Sequence, residues 1–287
     1  MISSVFRNAS DVKLGILNMP IDLVLVRHGA AEGNIAFAQS RKGNDELFTD
    51  KFMERHESKW RLTPEGKQQS IITGNYIKQN ISPIFGAYIV SEYIRAMETA
   101  ALLNLPNAHW IKNGFLRERN FGDLSGLSYR EREERFSRAL ELRKRDAFYW
   151  KPPSGESLAD LALRVDYIIG SIQHMSLTPS SVIIVTHFNV MQLFRTRIER
   201  IRQSHFEEKL IKVPEELKIK NAGIIHYTRK NPKNGKIADT YHWRRIITPW
   251  HRKLCNPPWT EIKYGYLTNE EILNELEDKN KVSIKNE

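Results

Sequence analysis

Short apolar runs alternate with amphipathic polar stretches along most of the chain. Three of these runs are short enough to be buried strands: LVLV at 23–26, AYIV at 87–90 and VIIV at 182–185. Each is followed by a stretch in which apolar residues recur with helical spacing. This alternation favours an α/β fold built on a mostly parallel sheet.

Capping residues mark the starts of several helices between these strands. Thr63 followed by Pro64, Ser128 with Glu131, and Ser157 are each typical of a helix N-terminus. The predicted helices begin and end, approximately, at 35–39, 63–79, 93–100, 128–145, 158–174, 189–202 and 268–276. Two further short strands are predicted at 107–111 and 223–227.

The chain contains no internal repeat and no Gly/Ser linker, so one domain with flanking segments is the simplest organisation. We place the domain at 21–228, after an irregular lead-in over 1–20. Within it, the polar and charged segment 40–60 is interpreted as an insertion or lid over the site. Residues 229–287 form a basic C-terminal extension that packs on the core or trails from it.

Composition limits the classes of function. The sequence is 40% hydrophobic and carries a net charge of +10, which is compatible with a real core and favours phosphate esters, nucleic acid or acidic lipid as partners. Its single cysteine, Cys255, excludes an internal disulfide and a Cys-based zinc site and fits a reducing compartment, so we expect a cytoplasmic protein. No apolar run approaches the ~18 residues of a membrane span. The first 19 residues lack the apolar core of a signal peptide, although an organelle transit peptide remains open.

Polar side chains suited to an anion follow all three predicted buried strands. Arg27 and His28 follow the first, Ser91 and then Arg95 follow the second, and His187 follows the third. Because the C-terminal ends of parallel strands lie on one side of a sheet, we expect these groups to converge there. The beginning of the helix after the second strand also favours an anion near Arg95.

The chemistry of this set fits phosphoryl transfer through a phosphohistidine. An imidazole is largely neutral at pH 7, so one nitrogen of His28 is free to attack phosphorus. Arg27 and Arg95 would hold phosphate oxygens with a fixed, bidentate geometry and stabilise the transition state. Glu118, in a nearby loop, would protonate the leaving alkoxide and then activate water.

Plainer interpretations exist for each part taken alone. An isolated Arg-His-Gly is more often an ordinary β-to-α turn with a surface histidine than a site. Glu118 could equally form a loop ion pair with Arg117 or Arg119. The coincidence at three strand ends is what favours a functional site.

The ordered motifs resemble the histidine phosphatase superfamily, also called phosphoglycerate mutase-like, over roughly residues 21–228. The resemblance is carried by Arg27-His28-Gly29 with Asn34, Leu62-Thr63 with Gly66 and Gln69, Ser91-Glu92-x-x-Arg95-Ala96 with Thr99-Ala100, the Glu118 loop, Gly155-Glu156-Ser157 with Arg164, Val185-Thr186-His187, and Asn221-Ala222-Gly223. It implies a three-layer αβα sandwich of the phosphoglycerate mutase type.

The resemblance also implies roles for individual residues. His28 would be the phosphorylated nucleophile and Glu118 the proton donor. The phosphate pocket would consist of Arg27, Arg95 and His187, assisted by Asn34. Arg119 and Arg117 would touch substrate. The family needs no metal or cofactor for this chemistry, and the sequence has no metal-ligand cluster.

The chain departs from the family pattern at two places near the site. Ala30-Ala31 occupies positions where many members carry an acidic residue, Ser or Thr. Phe188-Asn189 follows His187 where Gly is frequent, so we expect a bulkier pocket mouth. Neither the 40–60 segment nor the basic extension is explained by the family.

Three functions are compatible with these observations. The first is a metal-free phosphomonoesterase for a small phosphorylated metabolite, and the second is a mutase that returns the phosphoryl group to a bound acceptor. The third is a binding module, since residues 229–253 contain eight Lys/Arg and one acid together with Tyr241, Trp243 and Trp250. Such a stretch can bind nucleic acid or an anionic surface, but a strand and loop packed on the core through the tryptophans is the preferred interpretation.

Overall fold

The computed structural model describes residues 16–175, 180–264, 267–274 and 276. The strands are β1 (Asp22–Arg27), β2 (Ala87–Ser91), β3 (Trp110–Asn113), β4 (Ser181–Thr186), β5 (Ile224–Thr228), β6 (Trp243–Ile247) and β7 (Thr260–Glu261). The α-helices are α1 (Glu32–Ser40), α2 (Asp50–Met53), α3 (Pro64–Asn80), α4 (Ile94–Leu103), α5 (Tyr129–Arg145), α6 (Leu158–Gln173) and α7 (Phe188–Ile198), and residues 269–274 are also helical. Most of the predicted lead-in over 1–20 and the end of the last predicted helix lie outside the described residues.

The strands form one seven-stranded sheet in the order β3-β2-β4-β1-β5-β6-β7. The first four in this order are parallel, with Val24 of β1 opposite Ile183 of β4. The other three strands extend the sheet from β1, and each is antiparallel to the strand before it in this order. The mostly parallel α/β fold is therefore confirmed, and the three strands with polar residues at their ends are adjacent at the centre of the sheet.

Helices cover both faces of the sheet, because side chains of the central strands alternate between two apolar clusters. Leu23 and Leu25 of β1 pack in one cluster with the inner faces of α6 and α7. Val24 and Val26 point the other way, into a cluster with residues of α3 and α4. This period-two alternation in a fully buried strand produces the three-layer αβα sandwich.

At two of the predicted boundaries that differ from the structure by a few residues, a left-handed backbone position lies in the mispredicted stretch. The edge strand begins at Trp110 instead of 107, since Asn107 has a φ of 54° and cannot extend a strand. The helix after β4 ends at Ile198 instead of 202, and Arg200, with a φ of 52°, lies beyond its end.

The predicted C-terminal extension contributes strands to the main sheet, although the domain boundary at 228 stays a prediction. Arg244 of β6 makes an ion pair with the buried Glu199, with Nε 3.0 Å from the carboxylate. Glu199 also binds Arg195 at 2.9 Å and accepts a 2.6 Å hydrogen bond from Tyr227. This network joins the end of α7 to β5 and β6.

Across the described residues, no helix is both long and apolar enough to cross a membrane.

Candidate active site

The turn after β1 is held by backbone contacts from several elements. The His28 amide donates to Thr186 on the neighbouring strand at 2.9 Å, and the Gly29 amide donates to Thr99 Oγ1 at 3.0 Å. A Cβ on Gly29 would lie 2.3 Å from the Gly66 carbonyl oxygen, so only glycine permits this close approach to α3. These hydrogen bonds, together with the glycine at position 29, fix the backbone conformation at His28.

The His28 imidazole is held in a single tautomer. Its Nδ1 lies 2.7 Å from the Gly29 carbonyl, which can only accept, so Nδ1 carries the hydrogen. Its Nε2 is then the nitrogen with a lone pair, and it accepts a 3.2 Å hydrogen bond from Arg95 Nε. Burial, with the charges of Arg95 and Arg27, holds the pKa of His28 well below its usual value of 6.5. At neutral pH the ring is therefore uncharged.

Two guanidinium groups flank this imidazole. Arg95 is 4% exposed, and its Nη1 donates to the backbone carbonyl of Glu57 at 2.6 Å. Arg27 donates to the Ile219 carbonyl at 2.8 Å, and its guanidinium lies 5.1 Å from the centre of the Phe188 ring. Burial lowers the pKa of Arg27 to about 10, with the Glu118 carboxylate opposing that effect, so this side chain stays charged at neutral pH.

His187 lies directly behind His28, with 5.1 Å between the ring centres. It is fully buried, and its Nε2 is 2.8 Å from Ser91 Oγ. Burial, followed by the charge of Arg95, lowers the pKa of His187 well below its usual value. Among the described residues, neither His187 Nδ1 nor Arg27 Nε has a hydrogen-bond partner, although both atoms are buried. Unpaired buried nitrogens beside a nucleophile suit an incoming anion.

Glu118 faces the same site from the loop that precedes α5. Its carboxylate accepts a 2.8 Å hydrogen bond from the Arg119 amide and a long one, 3.5 Å, from the Asn189 amide. The guanidinium of Arg119 is buried and donates to the carbonyls of Glu156 and Trp150, at 2.7 and 3.0 Å. Arg117 is exposed and donates to the Gly114 carbonyl. Glu118 is therefore brought to the site, whereas both arginines bind protein carbonyls and Arg117 is not part of the cavity wall.

Asn34 acts on the turn through a second asparagine. Its Oδ1 accepts hydrogen bonds from the Ala31 amide at 3.0 Å and from Asn221 Nδ2 at 3.1 Å. Asn221 Nδ2 also lies 3.2 Å from the His28 carbonyl oxygen. The Asn221 carbonyl is in turn held by the Trp250 indole at 2.8 Å. Trp250 of the predicted extension thus helps to hold the turn that carries His28, through Asn221.

These groups open into a cavity of about 520 Å³. Its lining contains Arg27, His28, Arg95 and Glu118, together with a set of aromatic and basic side chains, namely Phe37, Trp60, Phe121, Tyr129, Phe188, Arg41, Arg119, Arg132 and Arg143. The expected bulk at the mouth is present as Phe188. In the described part of the chain, no group of three or more His, Cys, Asp or Glu side chains could hold a metal ion.

Two contributors to the site were missed by the sequence reasoning. Glu57 lines the cavity from the segment 40–60, and Trp250 reaches the site from the far end of the chain. Neither follows a predicted strand or carries a periodic signal, so only the tertiary contacts identify them. Ser91, which sequence places at a strand end, gains a specific partner in His187.

A family model described as histidine phosphatase superfamily (branch 1) matches residues 23–220. Among curated proteins, the chain is 34% identical over 178 residues to a 2,3-bisphosphoglycerate-dependent phosphoglycerate mutase of Bartonella bacilliformis, covering 59% of this chain and 77% of that protein.

Solved structures share the fold at lower identity. An alpha-ribazole phosphatase from Shigella flexneri superposes with a TM-score of 0.57 at 18% identity, covering 76% of this chain and 95% of that one. A mycobacterial glucosyl-3-phosphoglycerate phosphatase gives a TM-score of 0.56 at 18% identity, covering 72% and 92%. These two structures support the fold of this chain. The substrates in their names are those of the two phosphatases alone.

Proposed function

The chain belongs to the histidine phosphatase superfamily, and on that premise we propose that it is a metal-free phosphomonoesterase acting on a small phosphorylated metabolite through a phosphohistidine. The observation that carries the proposal is the neutral His28 ring, which lines the cavity and whose Nε2 lone pair lies beside Arg95. A nucleophile paired with fixed cations is what phosphoryl transfer requires.

In the first step, His28 Nε2 attacks phosphorus, the N–P bond forms and the ester P–O bond breaks. Nδ1 keeps its hydrogen and its hydrogen bond to the Gly29 carbonyl, so the ring is already oriented when the reaction begins. Arg27 and Arg95 balance the charge on the transferring oxygens without moving, which lowers the barrier. A carboxyl group that lines the cavity must protonate the leaving alkoxide, and the presence of Glu118 in this lining supports that role for it.

In the second step, water attacks the phosphorylated imidazole, the N–P bond breaks and inorganic phosphate leaves. A carboxylate must accept the proton of that water. Glu118 lines the cavity and accepts a hydrogen bond from the Arg119 amide, which supports this role for it. The cycle returns His28 to its neutral state and needs no metal ion or cofactor.

A phosphoglycerate mutase-type transfer is the alternative, favoured by the name of the Bartonella bacilliformis relative. A mutase would grip a second anionic group of a bound acceptor. The two arginines predicted to touch substrate support hydrolysis instead, because Arg119 is engaged by two carbonyls and Arg117 does not line the cavity. Arg41, Arg132 and Arg143 also line the cavity, so the acceptor test is needed to decide.

Nucleic-acid or anionic-surface binding through residues 229–253 is less favoured. Several of its cations point inward: Arg244 pairs with Glu199, Arg229 donates to the Ala238 and Met19 carbonyls, and Arg245 lies 4.6 Å from the Trp259 ring centre. Cations used within the fold are not available to phosphates. A salt-titrated mobility shift with the full chain, comparing wild type with a Lys233→Glu/Lys236→Glu variant, tests this class.

We also propose a cytoplasmic location, on the basis of the lone cysteine.

The deciding experiment measures release of inorganic phosphate from a panel of phosphorylated metabolites, with and without an added phosphorylated acceptor. We expect release that does not depend on the acceptor and that is lost in His28→Ala. Phosphate release unchanged in His28→Ala would refute the proposal, and transfer that requires the acceptor would support the mutase.

A further inference from the structure

Glu57 is a buried carboxyl group that faces the same cavity as His28, and nothing in the family motifs assigns it a role. We propose that Glu57 is a second acid–base residue of this site, and that it shares with Glu118 the two proton transfers of the reaction. This inference rests on the proposed function and deepens it.

The position of Glu57 is set by a contact of its backbone carbonyl, while its carboxyl group is not used in an ion pair. Arg95 donates to the Glu57 carbonyl oxygen at 2.6 Å, and the same guanidinium donates to His28 Nε2 through Nε. The side chain is only 6% exposed, yet it lines the cavity. Within the described residues its carboxylate makes no ion pair at 4.0 Å or less. A carboxylate that served only to hold Arg95 would contact the guanidinium directly.

Hydroxyl groups are the hydrogen-bond partners of this carboxyl. Tyr93 donates to one oxygen at 3.4 Å and Ser125 to the other at 3.3 Å. Both bonds are long, and a hydroxyl can accept as readily as it donates, so either partner suits a protonated carboxyl. Glu118, in contrast, is bound by backbone amides, which can only donate and therefore suit a carboxylate.

Burial is the largest effect on Glu57 and raises its pKa. The positive charge of Arg95 opposes this effect, and the Glu118 carboxylate adds to it. Arg132 on α5 also interacts with Glu57 through its charge, and this interaction opposes the rise. Burial and the two hydroxyl partners together favour the neutral carboxyl that a proton donor needs.

The proton balance follows directly. As the ester P–O bond breaks and the His28–phosphorus bond forms, the Glu57 carboxyl gives its proton to the leaving oxygen. When water later attacks phosphorus and the N–P bond breaks, Glu118 takes the proton of that water. Return of this proton to Glu57, directly or through solvent, restores the starting state.

Leaving-group dependence tests the proposal, because a proton donor matters only when the leaving oxygen is basic. The variant is Glu57→Gln, and the probes are p-nitrophenyl phosphate, which releases an acidic phenol, and glycerol 3-phosphate, which releases an alkoxide. We expect kcat/KM for glycerol 3-phosphate to fall about 100-fold, with p-nitrophenyl phosphate nearly unchanged. Equal losses on both probes, or no loss on either, would overturn the role of Glu57.

Controls separate this result from failure of the proposed function. Glu54→Gln alters an exposed carboxylate of the same segment and should match wild type on both probes. If His28→Ala keeps its activity, the phosphohistidine mechanism itself fails, whatever Glu57 does.

Stability provides a second readout that does not need turnover. A carboxyl whose pKa is raised by folding loses stability as pH rises through that range, so Glu57→Gln should unfold at a higher temperature than wild type at pH 7.5. A purely structural Glu57 would give a lower unfolding temperature in the variant, and that result would contradict the proposal.

Discussion

Replacing Ser91 by alanine removes one hydroxyl from the inner end of the active site. Ser91 Oγ lies 2.8 Å from His187 Nε2, and both side chains are fully buried. With Nδ1 of the same ring already unpaired, the variant leaves both imidazole nitrogens without a partner among the described residues. An unsatisfied buried group costs about 1–3 kcal/mol.

In our account His187 forms part of the phosphate pocket, and its ring centre lies 5.1 Å from that of His28. The lost free energy should therefore raise the activation barrier. At about 1.4 kcal/mol per tenfold in rate, we expect kcat/KM to fall about 5- to 150-fold in Ser91→Ala. The assay is steady-state phosphate release, run beside urea denaturation of the same preparation.

Thr196→Val is the matched control. Thr196 is buried in α7, its hydroxyl donates to the Gln192 carbonyl at 2.9 Å, and it does not line the cavity. We expect this variant to lose stability by a comparable amount with unchanged kcat/KM. If Ser91→Ala loses stability but keeps full activity, the reasoning that Ser91 orients a catalytic histidine is wrong.

Two further predictions concern the supports of the site. In Trp250→Phe, loss of the 2.8 Å hydrogen bond to the Asn221 carbonyl should lower kcat/KM about 5-fold, with Trp259→Phe as a control, and an unchanged value would show that the extension does not position the site. His28 has a folded pKa well below 6.5, so its unfolded form binds the extra proton, and stability is lost as pH falls below 6.5. Between pH 6.5 and 5.5, His28→Gln should reduce the fall in the free energy of unfolding by about 1 kcal/mol, measured by urea denaturation.

The catalytic centre could be predicted because strand periodicity and strand ends are local signals. The apolar runs before Arg27-His28, Ser91 and His187 each identify a buried strand, and a parallel sheet places their ends together. This inference uses only the order of strands and the residues that follow them. It identified His28, Arg95 and His187, which lie in contact in the structure.

The remaining parts of the site depend on loops and on long-range contacts, which leave no periodic signal. Glu57 lies in a charged segment whose other acidic residues are mostly exposed, so only packing against Arg95 distinguishes it. Arg119 follows Glu118 in the motif, yet its guanidinium turns to the Trp150 and Glu156 carbonyls. Trp250 reaches Asn221 because β6 adds to the sheet beside β5.

The central claim is that His28 carries the phosphoryl group between substrate and water. The most direct measurement is rapid alkaline quench of the enzyme during turnover of p-nitrophenyl phosphate, followed by mass spectrometry of the peptide that contains His28. We predict one phosphoryl group on His28 that is stable in base, is lost in acid and is absent from His28→Ala. Turnover without any phosphorylated histidine, or a phosphorylated peptide that persists in His28→Ala, would contradict the account.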